Sequence, residues 1–105
     1  MIGIYKIENL INGKVYIGQS VHIERRWQEH CRDSAESVVA EAIRKYGVEN
    51  FSFEVLKECS IEELDELEKL YIKEYGSLVP FGYNVDSGGS SNHTSFAVYD
   101  SVEFQ

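Results

Sequence analysis

The chain has 105 residues, 43% of them hydrophobic and 12% aromatic, which suits one compact domain and excludes wholesale disorder. No apolar run approaches the roughly 20 residues of a membrane helix and no basic-then-apolar leader opens it, so a soluble, cytoplasmic protein without a membrane partner is expected. A net charge of −8 is awkward for binding phosphate backbones, but residues 1–32 carry +2 and residues 33–105 carry −10, so only the first third favours an anion.

Gly3-Ile4-Tyr5-Lys6-Ile7 and Lys14-Val15-Tyr16-Ile17-Gly18, joined through Asn12-Gly13, form the strongest signal. Two short β-branched and aromatic runs around an Asn-Gly step predict a hairpin, because that pair tolerates positive φ. With an even number of turn residues, Tyr5, Ile7, Lys14, Tyr16 and Gly18 share one face, and Ile4, Val15 and Ile17 share the other. The aliphatic face suits a core. The other gathers two phenols, an ammonium and glycine backbone; ordinary strand tyrosines with exposed hydroxyls are the alternative there.

After Gly18 the period becomes helical. Ser20 is the expected N-cap, and Ile23, Arg26, Trp27 and His30 share a stripe. Arg26 is placed to grip a phosphate or carboxylate with its planar fork, or to pair structurally, and His30 reads equally as a structural residue. Ser34–Tyr46 is expected as a second helix, with Val38, Val39, Ala42, Ile43 and Tyr46 inward and Gly47 as its stop. Cys31 and Cys59 read as reduced, half-buried thiols. Phe51–Leu56 alternates as a third strand that completes a sheet.

Ser60-Ile61-Glu62-Glu63 is a capping box opening a helix that runs to Tyr75, with Ile61, Leu64, Leu67, Tyr71, Ile72 and Tyr75 as its apolar stripe. Glu68 falls inside that stripe, where a carboxylate needs a partner: a salt bridge, to an arginine for example, or a metal. The remaining acids, Asp65 among them, read as solvated surface. Pro80–Val85 is a turn into a short extended piece, and residues 88–105 read as a connector and tail beyond a domain of residues 1–87.

Together, Gly3-Ile4-Tyr5, Tyr16-Ile17-Gly18, Arg26-Trp27 with His30, Glu68 and Gly82-Tyr83-Asn84 resemble the GIY-YIG nuclease superfamily. Ala42–Gly47, Asn50-Phe51 and Phe81–Asn84 make the chain most similar to the catalytic domain of phage and intron homing endonucleases. The resemblance implies an α+β fold, a three-stranded antiparallel sheet flanked by helices, and metal-dependent hydrolysis of DNA phosphodiester bonds. It implies catalytic roles for Tyr5, Tyr16, Arg26, His30, Glu68 and Asn84, with Lys14, Gly3 and Gly18 in support. Glu68 would hold one Mg²⁺ or Mn²⁺, Arg26 would offset transition-state charge, and Tyr5, aided by Tyr16, would activate water.

An unperturbed phenol is protonated at neutral pH, so the tyrosine role calls for a nearby cation, with Lys14, His30 or a metal-bound water as candidates. The homing enzymes carry a DNA-recognition region after the catalytic domain. Here sequence recognition is expected to be absent, with substrate affinity weak, salt-sensitive or supplied by a partner protein or such a region. The alternative function is a catalytically idle fold that binds protein or nucleic acid.

Overall fold

The computed structural model describes residues 1–32 and 37–88, and the expected connector and tail, apart from Gly88, lie outside the described residues. Strands β1 (Gly3–Asn9), β2 (Val15–Ser20) and β3 (Phe51–Glu58) form one antiparallel sheet in the order β2-β1-β3. Helices α1 (Ile23–His30) and α2 (Val38–Tyr46) pack against one face of the sheet, and α3 (Leu64–Tyr75) against the other.

The hairpin turn is Leu10–Gly13, four residues, with Gly13 at φ 78° and the Asn9 N–H donating to the Lys14 carbonyl at 2.9 Å. That even length sets the register Tyr5 to Gly18 and Ile7 to Tyr16, so the facial sorting expected from the sequence holds. Its interpretation changes, because both faces are core. Tyr5 and Ile7 are fully buried with Ile23, Val39, Ile43 and Phe51, while Ile4 and Ile17 are fully buried with Leu64 and Ile72. A central strand covered on both sides has no solvent face, so the ordinary exposed-tyrosine reading fails for Tyr5.

On β3, Phe51, Phe53 and Val55 stand opposite Asn9, Ile7 and Tyr5, as the alternation predicts. A register shift between Ile4 and Tyr5 skips Leu56, which turns to the α3 side, and the strand continues to Glu58. The bulge lets one strand serve both cores. Trp27 stacks on Phe53 with centroids 4.9 Å apart, fixing α1 to the sheet.

Several helix boundaries differ from the expectation. His22, not Ser20, stands at the start of α1; Ser20 ends β2 and its hydroxyl accepts from the His22 N–H at 2.9 Å. Helix α2 begins at Val38 because Ser37, extended at φ −148°, accepts the Ala40 N–H at 3.1 Å; residues 34–36 of the expected helix lie outside the described residues. Its buried face takes Ala40 and leaves Val38 38% exposed. The Glu63 carboxylate accepts from both the Ser60 N–H and hydroxyl at 3.1 Å, yet the first turn, Ile61–Glu63, is 3₁₀ and α3 follows it. Ile61 and Tyr75, at the ends of the predicted stripe, are exposed. Cys31 and Cys59 are free and half-buried, as read from the sequence.

Candidate active site

Tyr5 and Tyr16 stand on adjacent strands two residue pairs out of line, on the same face, their ring centroids 6.2 Å apart. Gly18 lies directly opposite Tyr5, and a Cβ there would overlap the phenol ring carbon and its oxygen. The missing side chain lets the Tyr5 ring lie across β2. Gly3 plays a different part: its bare side faces the Lys57 carbonyl of β3 rather than the phenols.

Helix α1 brings His30 down onto this pair. The Tyr5 hydroxyl and His30 Nε2 share a 2.8 Å hydrogen bond, and the imidazole meets Tyr16 edge-on at 5.3 Å. His30 is 2% exposed; burial, and then the Arg26 charge, pulls its pKa down to about 3. It is therefore neutral at physiological pH and is not the cation expected beside Tyr5. Burial is also the main reason that the Tyr5 pKa stands well above its ordinary value, with Tyr16 raising it further, Arg26 lowering it and Glu68 raising it. Tyr16 is raised by burial and, after the opposing Arg26, by Glu68. Both phenols are protonated at neutral pH.

Arg26, one turn before His30, keeps 43% of its side chain exposed and donates from Nη1 to Glu29 Oε1 at 2.9 Å. Burial works against its charge, but Tyr5, Tyr16 and Glu29 more than offset that, and its pKa rises. Lys14 does not join the group. It closes the turn opposite Asn9, four residues along the strands from the Tyr5 level, or about 13 Å by strand geometry.

Glu68 approaches from the α3 layer. It is half-buried, and among the described residues an amide bonds to it where an arginine was considered from sequence: Gln19 Nε2 donates to Glu68 Oε1 at 2.9 Å and to Asp65 Oδ1 at 3.0 Å. Asp65, read from sequence as solvated surface, is thus half-buried beside Glu68, and neither it nor Gln19 carried a sequence signal beyond the i, i+3 spacing on α3. Among the described residues no three His, Cys, Asp or Glu side chains cluster to enclose a metal. The donors present are carboxylate oxygens at the protein surface, which fits a hard cation that keeps most of its water and does not fit a closed zinc-type site.

Asn84 is 6% exposed and turns both ends of its amide to β2. Its Oδ1 accepts from the Ile17 N–H at 2.9 Å and from the Ser77 hydroxyl at 2.7 Å, while its Nδ2 donates to the Ile17 carbonyl at 2.8 Å. It holds the main chain between Tyr16 and Gly18 in place. Tyr83 does the same for the turn, its hydroxyl accepting from Asn9 Nδ2 at 3.0 Å. The structure thus gathers Tyr5, Tyr16, Arg26 and His30 at Gly18, with Asn84 on the edge of β2 and Glu68 acting electrostatically on both phenols from the α3 side.

Residues 1–84 match the family described as the GIY-YIG catalytic domain. Intron-associated endonuclease 1 of Enterobacteria phage T4 is 33% identical over 90 residues, covering 79% of this chain and 36% of that protein. The solved catalytic domain of the homing endonuclease I-TevI superposes with a TM-score of 0.71 at 31% identity, over 82% of this chain and 99% of that one. A variant of that domain superposes with a TM-score of 0.72, also at 31% identity, over 83% of this chain and 95% of that one. The chain spans about a third of the length of the curated relatives it matches.

Proposed function

Because the chain belongs to the GIY-YIG catalytic domain family, we propose that it is the catalytic unit of an endonuclease that hydrolyses DNA phosphodiester bonds with one divalent cation, Mg²⁺ or Mn²⁺. The observation that carries this is the Tyr5 hydroxyl bonded to a buried neutral histidine beside a half-exposed guanidinium.

With the phenol protonated and the imidazole neutral, Tyr5 donates to Nε2, which places the His30 proton on Nδ1. The lone pairs of Tyr5 then face the substrate. As a water oxygen bonds to phosphorus and the bond to the leaving oxygen breaks, the water proton passes to the Tyr5 oxygen and the phenol proton to His30 Nε2. Burial first, and the Arg26 charge after it, oppose that transfer in the free protein. A phosphate at Arg26 offsets its charge, so substrate itself raises the basicity of His30. Arg26 binds the non-bridging oxygens, where negative charge grows, and gives up or shares its bond to Glu29 to do so. Tyr16 orients the water. Glu68 holds the cation, which when bound supplies Lewis-acid stabilisation of charge on the phosphoryl and leaving oxygens.

DNA as substrate, and a further region or partner protein that supplies most of the affinity, belong to the same proposal. The test is plasmid nicking with and without Mg²⁺ for the parent, Tyr5→Phe and Glu68→Ala. Cleavage only by the parent and only with the cation is expected. A parent inert under all conditions leaves the alternative, an idle binding module, which the −8 charge favours.

A further inference from the structure

We propose that Gln19 is a positioning residue for the cation-binding carboxylate, its amide nitrogen holding Glu68 and Asp65 together and fixing the direction in which Glu68 faces a divalent cation. The inference rests on the reading above that Glu68 binds the cation.

Gln19 follows Gly18 on β2 and shares the α3 face with Ile17, since residues two apart on a strand point the same way. Its Nε2 lies 2.9 Å from Glu68 Oε1 and 3.0 Å from Asp65 Oδ1. Ionised carboxylates only accept, so the amide must turn its nitrogen to them, and that nitrogen has one hydrogen for each. Asp65 and Glu68 are three residues apart on α3, where like charges repel. The shared donor holds them side by side. Being neutral, it does so without cancelling their charge, so the pair keeps its attraction for a cation, which a lysine at position 19 would remove. Behind the carboxylate the chain returns at Gly88, where a Cβ would stand 3.2 Å from the same Oε1. The turn therefore passes close to the oxygen that Gln19 holds. Hydrogen-bonded partners of ligating carboxylates typically change metal affinity by about 10- to 100-fold when lost.

The experiment titrates Mn²⁺ into the metal-free chain without DNA, following water-proton relaxation, for the parent, Gln19→Leu, Gln19→Lys and Asp65→Asn. Thermal midpoints without metal report folding. Gln19→Leu should weaken Mn²⁺ binding about 10- to 100-fold, Gln19→Lys more, and Asp65→Asn several-fold. Should Gln19→Leu fail to fold, Asp65→Asn, at a half-buried helix position, carries the test. Folded variants that bind Mn²⁺ as the parent does overturn the proposal, even where cleavage falls. A parent that cuts without a divalent ion and binds none overturns the metal reading and this inference with it, a failure visible in the parent rather than in the variants.

Discussion

At the scale of single residues, His30 decides how the site behaves with pH. In the folded chain its pKa is about 3, and in the unfolded chain it titrates near 6.5. Below pH 6.5 the unfolded state takes up a proton that the folded state refuses. The stabilisation is therefore complete above pH 6.5 and is lost as the pH falls toward 3. At 1.36 kcal/mol per unit, acidification from pH 6.5 to 5 should cost about 2 kcal/mol. Urea unfolding across that range should show the slope in the parent and lose it in His30→Gln; equal slopes would mean that the imidazole is not held neutral. Arg26 is the second decisive residue. A lysine ammonium cannot reproduce its planar fork, so Arg26→Lys should lower the cleavage rate roughly a hundredfold to a thousandfold while DNA affinity changes little. Arg25, 67% exposed and 3.9 Å from the same Glu29, is the control, and its lysine variant should cut almost normally. Similar losses at both positions would reduce Arg26 to a backbone-attracting charge.

At the scale of elements, the order of strands and helices was legible because it is written locally, in the alternation of Phe51, Phe53 and Val55 and in the Asn-Gly step. That helices flank the sheet came from the family resemblance and not from the pattern, because alternation on β1 says which residues share a face and not what covers it. Helix starts were misplaced for two reasons: Ser20 is a better capping residue than His22, which caps with no side-chain bond, and Ser34 fits the pattern as well as Ser37 does. Tyr5, Arg26, His30 and Glu68 stood out by position, but their partners did not. The bond of Asn84 to Ile17 spans 67 residues, and the bond of Gln19 to Glu68 spans 49, distances at which no period operates. Asn84 shows what such a tie does. With both amide ends on the buried edge of β2, Asn84→Ala leaves the Ile17 N–H and carbonyl and the Ser77 hydroxyl without it, which should cost roughly 2 to 5 kcal/mol. Chemical denaturation would measure this, and activity per folded molecule should fall as Tyr16 and Gly18 lose their support. A variant as stable as the parent would show that water replaces the amide and that β2 does not depend on it.

At the scale of the whole molecule, the sheet separates two unlike charged layers. Residues 21–32, with α1, hold three arginines against two glutamates, whereas residues 61–76, with α3, hold six acids against two lysines. On the proposed reading, DNA at Tyr5 would meet the first layer and Glu68 at close range, and the outer acids of the second layer, Glu62 and Glu66, only through their field. Lys6, which belongs to the basic first third in sequence, is on the wrong side for contact: it is held by Glu8 at 3.4 Å and Glu54 at 3.3 Å and lies 5.3 Å from the Tyr75 ring centroid. The basic footprint therefore narrows to Lys14 at the hairpin turn and to α1 with its C-terminal end. Reversing Arg25 or Arg32 to glutamate should weaken DNA binding and flatten its dependence on salt, because each removes about one released counterion. Reversing Lys6 should do neither. Changing Glu62 or Glu66 to lysine should strengthen binding at low salt through the field alone, and the gain should fade near 0.15 M salt, where screening acts over about 8 Å. Titrations of a labelled duplex at 50 and 200 mM salt separate these cases. If Lys6→Glu weakens binding as much as Arg25→Glu does, with the same loss of salt slope, DNA contacts the α3 side of the sheet and the footprint on α1 is wrong.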